Sequence, residues 1–158
     1  YDYDNNGSFA RQGSVDKALF DYLNSNPYYE QSSPKSLGRE FFEHDQHKVI
    51  DASCLNTRDI LATATEHIAY QIAKSTNSIE KTKMLITGGG AKNTFLIERI
   101  TKLSHHEVII PETTIIDYKE ALIFAFLGAL KMEGKTNILS SVTGASSDSS
   151  SGKIWMAE

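Results

Sequence analysis

Apolar positions recur along this chain with two different periods, and the switch between them outlines the elements. Asn56, with Asp59 three residues on, precedes Ile60, Leu61, Ala64, Ile68 and Ile72. Spacings of three and four predict an amphipathic helix that starts at an Asn cap and ends near residues 74–77. Upstream, Ser14 stands as a cap for a helix carrying Leu19, Phe20 and Leu23, closed by Pro27. Residues 83–87 favour a strand, Gly88-Gly89-Gly90 breaks it, and residues 93–103 read as a helix with Phe95, Leu96, Ile97 and Ile100. A second strand is expected over 107–110, stopped by Pro111. Asp117 then caps a helix over 118–132 that is apolar on nearly every face, a pattern expected of a buried helix.

The ends of the chain read differently. Tyr1 to Asp4 and Ser8 to Arg11 flank Asn5-Asn6-Gly7, a turn signal that predicts a hairpin. Residues 28–34 are polar and irregular, and 35–42 read as a short helix or turn ending in paired aromatics. A Ser-rich stretch over 140–152 is expected to be a loop before a final strand at 153–156. Strands alternating with helices predict an α/β fold: helices packed on a mixed, partly parallel sheet to which the opening hairpin adds antiparallel strands.

Composition narrows the function classes. The 158 residues are 40% hydrophobic and 23% charged, as in one globular domain, and the net charge of −4 offers no basic field for nucleic acid. The apolar run around 121–130 is too short to span a bilayer, so no membrane partner is expected either. Cys54 is the sole cysteine, which rules out an internal disulfide and fits a reducing cytoplasm. The first residue is Tyr rather than Met, within a segment read as strand, which suggests a piece of something longer.

Candidate chemistry centres on Thr87-Gly88-Gly89-Gly90-Ala91-Lys92-Asn93. A glycine turn between a strand and a helix lets a ligand meet both bare backbone and a positive helix end. The same glycines serve equally well as a plain tight turn, and the spacing is neither that of a P-loop nor that of a Rossmann fingerprint. Lys35, Gly38, Arg39 and Glu40 concentrate charge beside Phe41 and Phe42, suited to an anionic ligand or to an ordinary solvated turn. Glu120 either pairs with a helix end or faces a cleft. Asp2, Asp4, Asn6 and Gly7 match only the first half of a calcium loop, since Gly13 stands where a bidentate Glu is needed. His44, His47, His105 and His106 lack a third ligand and read as surface residues, while His67 reads as packed. No metal site is expected.

Three segments taken in order carry a resemblance: Pro34-Lys35-Ser36-Leu37-Gly38-Arg39-Glu40-Phe41-Phe42, Ile86 to Asn93, and Asp117-Tyr118-Lys119-Glu120-Ala121-Leu122-Ile123-Phe124-Ala125-Phe126-Leu127. Together with the Tyr-Asp-x-Asp-x-x-Gly opening and Val142-Thr143-Gly144-Ala145, they resemble the C-terminal half of anhydro-N-acetylmuramic acid kinases. The Ser-rich run after Ala145 departs from the pattern. The resemblance implies a ribonuclease-H-like domain of the sugar-kinase and actin superfamily, one of two closing over a cleft. It further implies ATP and Mg²⁺ as cofactors, and a reaction that opens the 1,6-anhydro ring of a muramic acid sugar and phosphorylates O6 in peptidoglycan recycling. Gly88, Gly89, Gly90 and Asn93 match the adenosine-side motif. Lys35, Gly38, Arg39 and Glu40 match the Pro-Lys-Ser-x-Gly-Arg-Glu segment, and Glu120 matches the acid near the cleft. The catalytic base and the first phosphate loop belong to the N-terminal kinase domain, a partner this chain lacks, so the chain alone is expected to be inactive. A non-catalytic regulatory or interaction domain, another sugar kinase of the superfamily, and a homodimeric state all stay open.

Overall fold

The computed structural model describes residues 3–32 and 35–155. Helix α1 (Lys17–Asn24) begins where the Asp16 side chain accepts from the Leu19 N–H, so Asp16 rather than Ser14 is the cap. Ser14 instead donates its N–H to the Asp59 carboxylate near the start of the longest helix of the first hundred residues, and the Asp16 N–H donates to the Thr63 hydroxyl. These bonds seat the first helix against the longest one. Pro27 opens a 3-10 turn (Pro27–Glu30), capped by Asn26. Short helix α2 (Arg39–Phe41) runs through a π-helical stretch (Phe42–Gln46) into α3 (His47–Ala52).

Helix α4 (Thr57–Thr76) starts at Asn56, whose side chain accepts from the Asp59 N–H. Its buried face is not the expected large-residue stripe. Ala62, Thr63, Thr65, His67, Ala69 and Ala73 are buried, whereas Ile60, Leu61, Ala64 and Ile72 are half-buried and Ile68 is exposed. Small residues on this face let α1, the helix over 94–103 and the turn over 10–12 approach closely, so branched side chains fall to the flanks. Among the described residues the buried apolar core consists of Ala10, Leu19, Leu23, Ala62, Ala69, Ala73, Ala91 and Ile100.

Strand β1 (Lys83–Leu85) pairs in parallel with β2 (Glu107–Ile109), Met84 opposite Val108, and α5 (Thr94–Leu103) connects them. This is a βαβ unit, and these two strands form the whole sheet among the described residues. The buried His106 pins the sheet to α4: its Nδ1 accepts from the Thr82 N–H, and Nε2 lies 2.9 Å from the Thr76 carbonyl. His106 is therefore not the surface residue expected, although His47 and His105 are exposed. The His44 side chain lies outside the described residues.

The other expectations need correction too. No hairpin forms over residues 3–13. Two 3-10 turns (Asn5–Gly7 and Ala10–Gln12) wrap the Asp4 carboxylate, which accepts from the N–H groups of Phe9 and Ala10 at 2.9 and 3.0 Å and from the Ser8 hydroxyl. Burial pushes that carboxyl's pKa up, but these bonds outweigh it and hold the group below its ordinary value. The Tyr1 and Asp2 part of the motif lies outside the described residues. Helix α6 (Thr113–Met132) starts four residues before Asp117, and none of its residues is buried. The Ser-rich segment is folded: helix α7 (Ser140–Thr143) ends at left-handed Gly144, and Ile138 bridges Ser149 in antiparallel fashion. Residues 153–155 form no strand, and Met156 is outside the described residues.

Candidate functional site

The glycine segment occupies the turn between β1 and α5, as its sequence predicted. Gly88 has φ of +82°, a conformation that side chains resist, and Gly89–Lys92 form a 3-10 turn. The left-handed residue is thus Gly88, not the middle glycine, Gly89. A Cβ built on Gly88 or Gly89 would meet nothing within 4 Å, so both face open space. The turn closes through Ala91 N–H to the Gly88 carbonyl and Asn93 N–H to the Gly90 carbonyl. The N–H groups of Gly88, Gly89 and Gly90 donate to no described residue. Backbone donors beside an open, side-chain-free surface can hold an anion or the edge of a nucleotide.

Asn93 caps α5 by accepting from the Leu96 N–H at 3.0 Å. Its oxygen is therefore committed to the helix, leaving only the amide NH₂ for a ligand. Two amines flank the turn, and sequence reasoning assigned neither of them. Lys92 forms an ion pair with Asp117, and Lys119 donates to the Thr87 hydroxyl just before Gly88. Both partners tie the turn to the first half of α6. Lys92 lies inside the glycine motif, but only the folded chain brings Lys119 beside Thr87, 32 residues away.

Glu120 lies on α6 one residue beyond Lys119 and is exposed, in the third turn of a helix that is uncovered rather than buried. Lys35, Gly38, Arg39 and Glu40 form a separate group. Lys35 donates to the Tyr28 and Tyr29 carbonyls and stands 4.7 Å from the Tyr28 ring centroid. Arg39 pairs with Glu43 one turn along at 2.5 Å, and the Glu40 carboxylate folds back over Gly38. Among the described residues no hydrogen bond, ion pair or ring contact links this group to the glycine turn or α6. The fold thus joins the glycine turn to the Glu120 helix and leaves the Lys35 to Glu40 group apart.

A metal centre finds no support: no group of three or more His, Cys, Asp or Glu side chains is set to hold a metal among the described residues. No helix there is long and apolar enough to cross a membrane.

A family described as "Anhydro-N-acetylmuramic acid kinase" matches residues 1–157. Curated proteins of that name are similar along almost the whole chain: one from Hahella chejuensis is 35% identical over 161 residues, covering 98% of this chain and 43% of its own length. Those from Sulfurovum sp. and Vibrio vulnificus are each 34% identical, covering 98% and 97% of this chain and 44% and 43% of theirs. The chain therefore spans less than half the length of these relatives.

Proposed function

The chain belongs to the anhydro-N-acetylmuramic acid kinase family, and on that premise we propose that it forms the nucleotide-side wall of an ATP-dependent sugar kinase. The complete enzyme would open the 1,6-anhydro ring with water and phosphorylate O6 in the recycling of peptidoglycan in the cytoplasm. In this reading the α/β unit is part of a ribonuclease-H-like domain, the C-terminal one of two.

The observation that carries the reading is the glycine turn. Its three N–H groups donate to no described residue, the Cβ positions of Gly88 and Gly89 are open, and Lys92 and Lys119 lie alongside. Gly88, Gly89 and Gly90 would lie against the adenosine side of ATP, and the Asn93 amide NH₂ would donate to it. Glu120 would face the cleft from α6, whereas Lys35, Gly38, Arg39 and Glu40 would reach substrate or phosphate only once the second wall is present. ATP supplies the phosphoryl group. Mg²⁺ would accompany its phosphates, and we assign no residue of this chain to it. Phosphoryl transfer requires charge stabilisation and positioning from both sides of the group in flight. We therefore assign the catalytic base to the partner domain and expect this chain alone to be inactive.

Gly89→Val in a kinase-length polypeptide carrying this sequence tests the reading. Gly89 is not left-handed and has room for a side chain, so circular dichroism should show an unchanged fold while calorimetry shows Mg-ATP bound at least about 10-fold more weakly. Unchanged affinity in the folded variant would remove the turn from the nucleotide site and favour a domain whose glycines serve only its geometry.

A further inference from the structure

Lys35 is held by a turn rather than left to swing. Of the three N–H donors on its ammonium, two go to the Tyr28 and Tyr29 carbonyls at 3.1 and 3.2 Å, with the Tyr28 ring centroid 4.7 Å away. A long, flexible amine is thereby fixed on the Pro27–Glu30 turn, and where it points depends on where that turn sits. The third N–H meets no acceptor among the described residues, so Lys35 keeps a donor and its charge for an anionic group.

The turn is tied to α4 at two places. Glu30 pairs with Lys74 at 2.6 Å, but both side chains are exposed, and such a pair holds weakly. The second tie is the Tyr29 hydroxyl, 3.0 Å from Nε2 of the buried His67. Which atom donates follows from the network behind it. The Asn24 amide NH₂ donates to the Phe20 carbonyl, which leaves the Asn24 oxygen to accept from Gln71 at 2.6 Å and from His67 Nδ1 at 2.9 Å. Nδ1 therefore carries the proton, Nε2 is a bare acceptor, and the Tyr29 hydroxyl donates to it. Buried polar groups are costly unless each is paired, and the pairing fixes each in place. The outer end of this chain of bonds is Tyr29, whose carbonyl holds Lys35. We propose that Tyr29 and His67 are positioning residues that act through Lys35, fixing the turn that aims its ammonium at an anionic group of the bound substrates. The inference rests on the reading that the Lys35 to Glu40 segment serves the cleft.

A double-mutant cycle in the kinase-length enzyme tests it. Lys35→Ala should lower kcat/KM at least about 30-fold and Tyr29→Phe about 10-fold, while the double variant falls no further than Lys35→Ala alone. KM for Mg-ATP and for the anhydro sugar, measured separately, distinguishes a phosphate from the sugar's carboxylate as the group Lys35 meets. His67→Leu removes the acceptor and should match Tyr29→Phe, whereas His67→Gln offers an amide oxygen near the place of Nε2 and should recover most of the loss. Losses that multiply in the double variant, equal losses in the two His67 variants, or full activity in Tyr29→Phe would overturn the proposal and leave the reading of the segment intact. Full activity in a folded Lys35→Ala variant would overturn both. The His67 variants carry the same cycle should Tyr29→Phe fail to fold by circular dichroism.

Discussion

The side-chain oxygen of Asn93 sits 2.5 Å from where a Cβ of Gly7 would lie, so the glycine of the opening turn is packed against the residue that caps α5. Gly7 also has φ of +69°, and the Phe95 Cβ lies 2.6 Å from the same point. Gly7→Ala should therefore cost more than the roughly 1–2 kcal/mol of a left-handed alanine, because Asn93 must leave its cap or the turn must move. A urea midpoint shift corresponding to less than about 1 kcal/mol would show that the turn is not held against α5.

Arg99 on α5 grips Glu66 on α4 with two parallel bonds, Nε to Oε2 at 2.6 Å and Nη2 to Oε1 at 2.8 Å. Both side chains are largely shielded, 25% and 16% exposed, unlike the Arg11–Glu98 pair at 45% and 57%. Arg99→Ala should cost about 1.5–3 kcal/mol, and Arg11→Ala clearly less. Equal costs in thermal or urea unfolding would contradict the ranking by burial.

His67 is held neutral. Its Nδ1 donates to the Asn24 side-chain oxygen at 2.9 Å, which also accepts from Gln71, and Nε2 at 3.0 Å accepts from the Tyr29 hydroxyl. Burial lowers its pKa below the ordinary 6.5. As pH falls through 6.5 the unfolded chain gains a proton that the folded chain refuses, so stability is complete above that pH and declines below it down to the folded value. His67→Gln should flatten that decline while lowering stability at pH 8 by about 1–2 kcal/mol. A decline of unchanged steepness between pH 6.5 and 5 in the variant would assign it to other groups.

Among the described residues Arg39 bonds only to Glu43 one turn along, Glu40 makes no hydrogen bond or ion pair, and both are exposed, so Arg39→Ala and Glu40→Ala should change unfolding free energy by no more than about 0.5 kcal/mol. If they serve the cleft as proposed, kcat/KM of the kinase-length enzyme should fall at least about 10-fold in each. Folded variants with full activity would leave the segment as a solvated turn.

What was legible in the sequence is what local bonding decides. Asn56 and Asn93 mark their helix starts because each side chain closes a bond within three residues, and β1, the glycine turn, α5 and β2 follow from period and punctuation alone. Family membership was legible in the sequence too, from three ordered segments together with the opening motif and the closing Val142 to Ala145 segment.

Tertiary structure decided the rest. The expected hairpin gave way to turns in which the Asp4 carboxylate draws in the Phe9 and Ala10 N–H groups, and whose seat is the start of α5, where Gly7 packs against Asn93 and Phe95 and the Asn6 carbonyl accepts from Thr94. On α4 the core took alanines and threonines because neighbouring helices come close there, a distance that hydrophobic periodicity does not encode. Lys119 meets Thr87 only because α6 folds back across the glycine turn. Helix α6 shows the division most clearly. Apolar residues around a helix state that it gains free energy when covered, but whether and by what depends on surfaces brought from elsewhere, which the helix's own residues do not specify.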